Sequence, residues 1–306
     1  MAETPFAITV QAALDSSKLS AAALGEDDHL ITATEKTSFS LSDDALKRGF
    51  NALLGQTPDD VFFSDPTPWN NLFATYGWTP VTTALVAGTP TSVSVTPGSE
   101  ASFTLTTFTN SGPVPATFHA AATVQVETTL SDTWSNSDTI DVTQTVSYGM
   151  KVLGLGGETS FSYSHTWGQS QTQSTATTLG VEAGVEVTLQ PGQSAYVVIT
   201  ATPGTLTMTV PYTATLYGGG AANYSDKCQG HHFWWGEINS MLGKLSLPTS
   251  VAISQTVTFS FYAKVSVTVH DADSHEVLHR VHLHNSPVLL PGVQGAAVPL
   301  PALEPA

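Results

Sequence analysis

Charged residues are scarce in this sequence, and basic residues are the scarcest. Charged side chains make up 11% of the 306 positions, and 9 Lys and Arg stand against 25 Asp and Glu, for a formal net charge of −16. Nucleic acids and anionic lipid surfaces are bound through clusters of basic side chains. The composition therefore argues against a nucleic-acid partner and against a polybasic contact with lipid.

Cysteine is almost absent, and long apolar runs are missing. Cys228 is the only cysteine, so no internal disulfide and no thiolate metal site can form within the chain. No run of about 18 apolar residues occurs, which argues against a membrane-spanning helix. The opening MAETPFAITV shows neither a basic nor an apolar signal-peptide region. We expect secretion or release without a visible signal peptide, and no motif indicates a cofactor or a resident metal.

Glycine, proline and hydroxyl-bearing residues are abundant, and they favour twisted strands and turns over helices. Strand alternation runs almost without a break from about residue 90 to residue 217. The best helix candidate is DDALKRGFNALLG (43–55), capped by Asp43 or Asp44, and a short helix is expected around 237–245. The sequence predicts an all-β, elongated fold of long twisted antiparallel strands, with a small mixed head that contains one or two short helices.

Residues 140–168, IDVTQTVSYGMKVLGLGGETSFSYSHTWG, form two alternating ribbons joined by a glycine-rich turn. Side chains alternate faces along a strand, so each ribbon has an apolar and a hydroxyl-bearing face, with Gln144 and His165 as polar exceptions on the apolar one. The apolar face carries Ile140, Val142, Val146, Tyr148, Met150, Val152, Phe161, Tyr163 and Trp167. The opposite face carries Thr143, Thr145, Ser147, Lys151, Glu158, Ser160, Ser162 and Ser164. The tip consists of Leu153, Gly154, Leu155, Gly156 and Gly157.

The ordinary interpretation of these ribbons is a half-buried antiparallel sheet, with the apolar face inward and the hydroxyl face in water. Three further features favour a hairpin that crosses a membrane. Each ribbon is about 11 to 13 residues long, close to the roughly 9 to 11 residues that a tilted strand needs to cross a bilayer. Tyr148, Tyr163 and Trp167 are amphipathic aromatics of the kind found at membrane interfaces. The polar face is small and mostly uncharged, which suits the lining of a water-filled lumen.

Five segments between about residues 90 and 270 occur in a distinctive order. They are FTNSGPVPATF (108–118), TTLSDTWSNSDTIDVTQT (128–145), GMKVLGLGGETSFSYSHTW (149–167), TLQPGQSAYV (188–197) and VPYTATLYG (210–218). A strand is followed by a Ser/Thr-rich amphipathic hairpin, a long strand ending in a Pro-Gly turn, and a strand that starts with Val-Pro. In this order the chain resembles the aerolysin-like β-pore-forming toxins, especially the epsilon-toxin and mosquitocidal-toxin branch.

The resemblance implies a soluble, non-enzymatic toxin, insecticidal or defensive, that binds an unknown receptor (glycan, lipid or protein) on a target-cell membrane. It also implies a homo-oligomer in which each subunit inserts its hairpin, so that the hairpins form a transmembrane barrel. Two departures are visible: family hairpins often carry an Ile-Pro pair near the tip, which VLGLGG lacks, and many members have a signal peptide. A terminal activation peptide is common in the family, and the Pro-rich tail is either such a peptide or a disordered terminus.

On this basis the chain divides into a head, a pore-forming module and a tail. The first part is a mixed N-terminal head for receptor binding (1–95), and residues 218–250 are expected to fold back onto it. The second is a β-rich pore-forming and oligomerisation module (96–284), which contains the insertion hairpin at 139–168. The third is the Pro-rich tail (285–306). Aromatic residues of the head are candidates for the receptor site, and the alternative is that they fill the core of the head. These aromatics are Trp69, Tyr76, Trp78, Phe233, Trp234 and Trp235.

Two rival interpretations remain. One is a non-catalytic β-sandwich lectin or carbohydrate-binding protein that never enters a membrane. The other rests on HEVLH (275–279), which matches the HExxH pattern of zinc peptidases, whose two histidines share a zinc only when they lie on a helix. The segment follows KVSVTVHDADS and is better interpreted as the return strand of a hairpin. A strand would separate His275 and His279 by about 13 Å, so no metal site is expected there.

Overall fold

In the computed structural model, most of the described chain is β-strand. The structure describes residues 4–152 and 159–282, without the side chains of 159–161, 182, 183 and 282. The strands are β1 (Thr4–Ala12), β2 (Ser20–Leu30), β3 (Asp60–Phe62), β4 (Thr82–Ala87), β5 (Thr91–Pro97), β6 (Ala101–Thr104), β7 (Phe108–Thr109), β8 (Ala116–Ser135), β9 (Thr145–Val152), β10 (Thr159–Thr166), β11 (Thr172–Leu189), β12 (Ser194–Tyr217), β13 (Gly219–Cys228), β14 (His231–Glu237), β15 (Ser250–Asp271) and β16 (Val277–His282). The helices are α1 (Ala33–Ser38), α2 (Asp43–Leu54), α3 (Leu72–Tyr76) and α4 (Ile238–Leu245).

The two predicted helices are present as α2 and α4, but the predicted N-cap of α2 is wrong. The cap is Ser42, whose hydroxyl accepts a hydrogen bond from the backbone N–H of Ala45 at 3.1 Å. Asp43 and Asp44 lie in the first turn instead, where their negative charges favour the positive end of the helix dipole. Gly55 ends the helix in a left-handed conformation at φ 78°, which a glycine adopts without strain.

Thirteen strands form one large sheet, which confirms the prediction of long antiparallel strands. Its main path runs β10-β9-β1-β2-β4-β12-β15-β8-β11, with β16 on β15 and the short strands β5, β6 and β7 along β12. The central strands are long: β12 has 24 residues and β15 has 22. The parallel pairing of β1 with β9 interrupts the antiparallel pattern, and it joins the start of the chain to the candidate hairpin.

The second sheet is small and belongs to the mixed part of the molecule. It has three strands in the order β14-β13-β3, and α2 and α4 pack together beside it. The first 95 residues therefore contribute to both sheets, because β1, β2 and β4 lie in the large sheet and β3 in the small one. Residues 219–245 return to the small sheet after β12, which brings two distant parts of the sequence together.

The first strand of the hairpin begins later than the sequence predicts. A strand was expected from Ile140, whereas a 3-10 turn occupies Ser137–Thr139 and β9 starts only at Thr145. The intervening stretch is held mainly by side chains rather than by a neighbouring strand. Glu35 accepts the backbone N–H of Asp141 at 3.3 Å, and Asp27 accepts Gln144 Nε2 at 2.8 Å. Both β9 and β10 extend to the border of residues 153–158, which lie outside the described part of the chain.

The large sheet folds over, so that the hairpin covers its own central strands. Side chains of β9, of β10 and of Trp167, which follows β10, contact β8, β12 and β15, which are far from the hairpin along the order of the sheet. The core between these layers consists mainly of alternate apolar residues of the long strands. None of the helices in the described part of the chain has the length and apolar character to span a membrane.

Candidate functional site

The candidate hairpin consists of β9 and β10 and lies at one edge of the large sheet. Eight residue pairs join β9 to β10 in antiparallel register, from Val152–Thr159 to Thr145–Thr166. On its other side β9 pairs in parallel with β1, from Phe6–Val146 to Ala12–Val152. One backbone ladder, together with side-chain contacts beneath it, therefore holds the hairpin to the body of the molecule.

The predicted apolar face points into the body of the protein. Val146, Tyr148, Met150 and Val152 alternate along β9 and are all buried. Trp167 follows β10 and is buried as well, while Tyr163 is half-buried. Two further predicted members of this face precede β9: Ile140 is buried and Val142 is half-buried. The last member is Phe161, whose backbone pairs with Met150 and whose side chain lies outside the described set.

The predicted hydroxyl face points away from the body. Thr143, Thr145, Ser162 and Ser164 are exposed, while Ser147 and Lys151 are half-buried. Ser160 pairs with Lys151 through its backbone, and its side chain lies outside the described set. Glu158 and the predicted tip, Leu153, Gly154, Leu155, Gly156 and Gly157, also lie outside the described residues.

Aromatic rings fill the layer between the hairpin and the body. Trp167 packs on Trp134 of β8, with 4.5 Å between ring centroids, and meets Tyr212 of β12 edge-on at 4.8 Å. Phe6 of β1 contacts both Trp167 and Tyr212. Aromatic pairs in these geometries stabilise by about 0.5–1.5 kcal/mol each beyond the area that they bury, so they bind the base of the hairpin to the central strands.

A buried carboxylate, Asp132 of β8, lies at the centre of this layer and is 2% exposed. From the body, it accepts hydrogen bonds from Trp134 Nε1 at 2.8 Å, Gln255 Nε2 at 2.6 Å and the backbone N–H of Gln171 at 3.0 Å. Burial acts to raise the pKa of Asp132, but hydrogen bonds from His165, Gln171 and Gln255 hold that pKa below its ordinary value. Asp132 is therefore a carboxylate that stays ionised inside the protein.

The hairpin supplies the remaining partners of Asp132. The hydroxyl of Tyr148 donates to Asp132 Oδ2 at 3.1 Å, and Nε2 of His165 lies 3.2 Å from the same oxygen. The other ring nitrogen of His165, Nδ1, lies 2.9 Å from the backbone carbonyl of Thr166. Tyr148 also contacts His165 Nε2 at 3.0 Å and accepts a hydrogen bond from Gln255. We call these residues (Asp132, Tyr148, His165 and Gln255) the Asp132 cluster.

A second carboxylate group holds the stretch that leads into β9. Glu35 of α1 is 0% exposed, and its Oε1 lies 2.6 Å from His29 Nε2 and accepts the backbone N–H of Asp141 at 3.3 Å. Asp27 lies 2.9 Å from His29 Nδ1 and accepts Gln144 Nε2 at 2.8 Å. We call these residues (Asp27, His29, Glu35 and Gln144) the Glu35 cluster.

The Asp132 and Glu35 clusters were missed by the sequence analysis, although a signal exists. Asp132 interrupts the inward row of β8 between Leu130 and Trp134, and Gln255 does the same in β15 between Ile253 and Val257. A polar residue in a row of apolar positions is buried only with partners. The sequence shows the interruption, but it does not show which partners the fold supplies.

Most of the predicted receptor-site aromatics form one patch in the head, on the face of β14 and α3. Trp69 packs against Phe62 and Phe233, and Trp78 against Phe73, around a buried centre of Leu72, Phe73 and Ala221. Trp235 joins this cluster, and Tyr76 stacks on Trp78 at 4.8 Å while remaining 54% exposed. The patch therefore fills part of the head and also presents rings to solvent.

Trp234 does not belong to the aromatic patch. Successive side chains of a strand point to opposite faces, and Trp234 packs on the main core while Phe233 and Trp235 belong to the patch. Its indole N–H donates to the carbonyl of Cys228 at 3.0 Å. The structure thus brings together five of the six predicted aromatics.

The HEVLH segment is not helical. His275 has a positive φ of 61° in the turn after β15, and β16 begins at Val277 and pairs antiparallel with β15. The prediction of a return strand is confirmed, and the segment does not form the helix on which two histidines could share a zinc ion.

Comparison with known proteins identifies relatives among toxins. No protein-family model matches the chain. It is 30% identical over 249 residues to U-megalopygitoxin(8)-Mo12 of Megalopyge opercularis, which covers 81% of this chain and 85% of that protein. It is 31% identical over 250 residues to U-megalopygitoxin(8)-Mc8 of Megalopyge crispata, with 81% and 85% covered. The crystal structure of parasporin-2, a Bacillus thuringiensis toxin that recognizes cancer cells, aligns with a TM-score of 0.52 at 22% identity, covering 80% of this chain and 98% of that one, which confirms the predicted aerolysin-like fold.

Proposed function

Because this chain belongs to the U-megalopygitoxin(8) family and has an aerolysin-like fold, we propose that it is a β-pore-forming toxin. It binds a target-cell surface, oligomerises, and inserts the hairpin within 139–168 from each subunit to form a transmembrane barrel. It acts outside the cell that produces it, and it acts without a catalytic step or a cofactor.

One observation carries this proposal: the hairpin already has the two faces of a barrel strand pair and is stored apolar side down. Val146, Tyr148 and Met150 are buried against the body, while the opposite side of β9 and β10 is small and hydroxyl-rich. If the hairpin left the body of the protein and entered lipid, its apolar face would stay out of water. The hydroxyl face would then line a lumen, as alternation in membrane barrels requires.

Oligomerisation follows from the backbone of the hairpin. In hydrocarbon every backbone N–H and C=O needs a partner, and a lone hairpin leaves both of its outer edges unpaired. Within the large sheet β10 is a terminal strand, and β9 would lose its pairing with β1 on leaving the body. Hairpins from several subunits, closed into a ring, would satisfy both edges.

The aromatic patch of the head is the part that we propose for recognition of the target surface. Trp69, Trp78 and Phe233 are half-buried, and Tyr76 extends from them into solvent. Rings with one free face and a polar handle suit the faces of sugars or the headgroup region of a membrane. The patch belongs to the small sheet, apart from the hairpin, so binding and insertion would use different surfaces.

A disulfide lock between hairpin and body tests the proposal. Ala7 and Ser147 are register partners on β1 and β9, and a disulfide formed in the double variant Ala7→Cys/Ser147→Cys would fix β9 to the body. We expect the oxidised variant to bind target-cell-derived vesicles but to release no dye, and a reductant to restore release.

The matched control places the cross-link within the hairpin. Ser147 and Ser164 are register partners on β9 and β10, so Ser147→Cys/Ser164→Cys ties the two strands together and leaves the hairpin free to move as a unit. The oxidised control should retain dye release. If the oxidised β1–β9 lock released dye as fast as its reduced form, hairpin insertion would be ruled out.

A further inference from the structure

We propose that two histidine–carboxylate contacts at the base of the stored hairpin, one under β10 and one at the stretch that leads into β9, make its storage pH-dependent, so that the loss of protons loosens the hairpin. One contact joins His165 to Asp132 and the other joins His29 to Glu35. The inference rests on the proposed function, because it concerns how the same hairpin is released.

The contact at the base of β10 crosses directly from the hairpin to the body. His165 lies on the hairpin and Asp132 on β8, and the donors Trp134 and Gln255 of this carboxylate belong to β8 and β15 of the body. Nδ1 of His165 faces a carbonyl, which only accepts hydrogen bonds, while Nε2 faces the carboxylate. A doubly protonated ring donates to both oxygens, whereas a neutral ring has only one N–H for the two.

The contact before β9 acts through the approach to the hairpin. Glu35 holds the backbone N–H of Asp141, and Asp27 holds the side chain of Gln144. His29 lies between these two carboxylates, 2.9 Å from Asp27 and 2.6 Å from Glu35. A protonated His29 keeps the two buried acids close together, so its loss of charge would weaken the grip on both Asp141 and Gln144.

The carboxylates beside each histidine favour its charged form. His165 faces the carboxylate of Asp132 and the phenol of Tyr148, and Tyr212 of β12 reaches the same cluster through Gln255. His29 faces the two acids of the Glu35 cluster. A carboxylate at hydrogen-bond distance stabilises an imidazolium.

The sign of the effect follows from proton linkage. The hydrogen bond with Glu35 raises the pKa of His29 above its ordinary value of 6.5, although burial opposes this. A histidine with a raised pKa stabilises the folded arrangement fully below that ordinary value, and this stabilisation is lost as pH rises through the folded pKa. At low pH the limit is set by Glu35. Burial acts to raise the pKa of Glu35, but hydrogen bonds, above all the one with His29, hold that pKa below its ordinary value of 4.5. The stabilisation that ionised Glu35 provides is therefore lost only when pH falls through this lowered pKa.

Insertion would have the same pH preference as release. His165 shares the inward face of the hairpin with Val146, its register partner, and that face would meet lipid in a barrel. A charged side chain enters hydrocarbon at a much greater cost than a neutral one. Neutral His165 is therefore the form suited both to leaving Asp132 and to entering the bilayer.

Amide hydrogen exchange of the full chain in solution tests the proposal without a membrane. Protection factors, corrected for intrinsic exchange rates, would be compared between residues 146–150 of the hairpin and residues 206–210 of β12 from about pH 5.5 to about pH 9. We expect the protection factors of the hairpin to fall as pH rises. The fall should be about tenfold for each unit by which the pKa of a histidine in the folded protein exceeds its pKa in the unfolded chain. Protection in β12 should change less.

Variants assign the effect to the two histidines. The double variant His29→Gln/His165→Gln should lose the difference between hairpin and β12, while His119→Gln, on the exposed surface of β8 beside Glu186, should keep it. Hairpin protection that follows β12 across the whole range in the wild-type chain would overturn the proposal, as would a wild-type pH slope in the double variant. If the double variant does not fold, the wild-type series decides.

Vesicle leakage separates this proposal from the pore-forming function. On target-derived vesicles we expect faster dye release on the alkaline side of the same pH range. Absence of leakage at every pH, with pH-dependent hairpin protection, would contradict the pore but not the histidine contacts. The opposite result is also informative. If the disulfide lock blocks leakage but the hairpin protection does not depend on pH, the proposed role of the histidine contacts is contradicted and the pore is not.

Discussion

Glu35 is the residue on which the approach to the hairpin most depends. It completes a capping box with Thr32 at the start of α1, and it accepts the hydroxyl of Thr83 at 2.8 Å. The same carboxylate contacts His29 and holds the backbone of Asp141. One buried side chain therefore joins a helix, two strands and the stretch before β9, and its removal leaves several polar groups without a partner.

Replacement of this carboxylate should destabilise the fold measurably. We expect Glu35→Ala to lower the free energy of unfolding by about 3 kcal/mol, because removal of one partner from a buried ion pair leaves the other uncompensated. Glu127→Ala, an exposed position on β8, should change it by less than about 0.5 kcal/mol. Urea unfolding followed by tryptophan fluorescence measures both. Equal, small effects in the two variants would show that Glu35 has no special role.

Among the secondary-structure elements, β14 and α3 carry the aromatic patch that we propose for target recognition. Its outermost ring belongs to Tyr76, the last residue of α3, directly before the left-handed Gly77 that ends the helix. Tyr76 stacks on Trp78 and contributes little to the buried centre of the patch. A substitution there should therefore separate binding from stability.

Truncation of Tyr76 should weaken binding and spare the fold. We expect Tyr76→Ala to reduce binding to target-cell-derived vesicles by about tenfold, in the range of an interface hot spot, with a change in unfolding free energy below about 1 kcal/mol. Val114→Ala removes an apolar side chain outside the patch that is slightly more exposed, 62% against 54% for Tyr76, and this variant should bind normally. Co-sedimentation with vesicles provides the measurement, and undiminished binding by Tyr76→Ala would remove the patch from the proposed recognition site.

Local pattern predicts the elements better than it predicts their partners. Alternation correctly places Val146, Tyr148 and Met150 on one face, because side-chain direction depends only on strand parity. It cannot place β1 beside β9, since that parallel pairing joins residues far apart in the sequence. The start of β9 at Thr145 is also a tertiary effect, because the contacts of Glu35 and Asp27 with the preceding stretch replace a ladder.

In the whole molecule the hairpin is a layer of the core, and the proposed function requires that this layer be exchanged for lipid. Its departure would uncover Trp134 and Tyr212, which now pack against Trp167. Trp167 Nε1 is buried without an acceptor among the described residues, and such an N–H costs about 1–3 kcal/mol that an interfacial position in a membrane would restore. The stored hairpin therefore leaves one buried donor unsatisfied, and the proposed insertion would relieve this cost.

Contact between alternate residues of β9 and lipid would distinguish insertion of the hairpin from binding at the membrane surface. In a Cys228→Ala background, single cysteines at positions 146, 148 and 150 and at 147 and 149 would carry an environment-sensitive fluorophore, with nitroxide-labelled lipid as the quencher. We expect quenching on target membranes at the three even positions and none at the two odd ones, because side chains of an inserted hairpin would alternate between lipid and lumen. No quenching at the even positions on membranes that the toxin has bound and made leaky would contradict insertion of the hairpin.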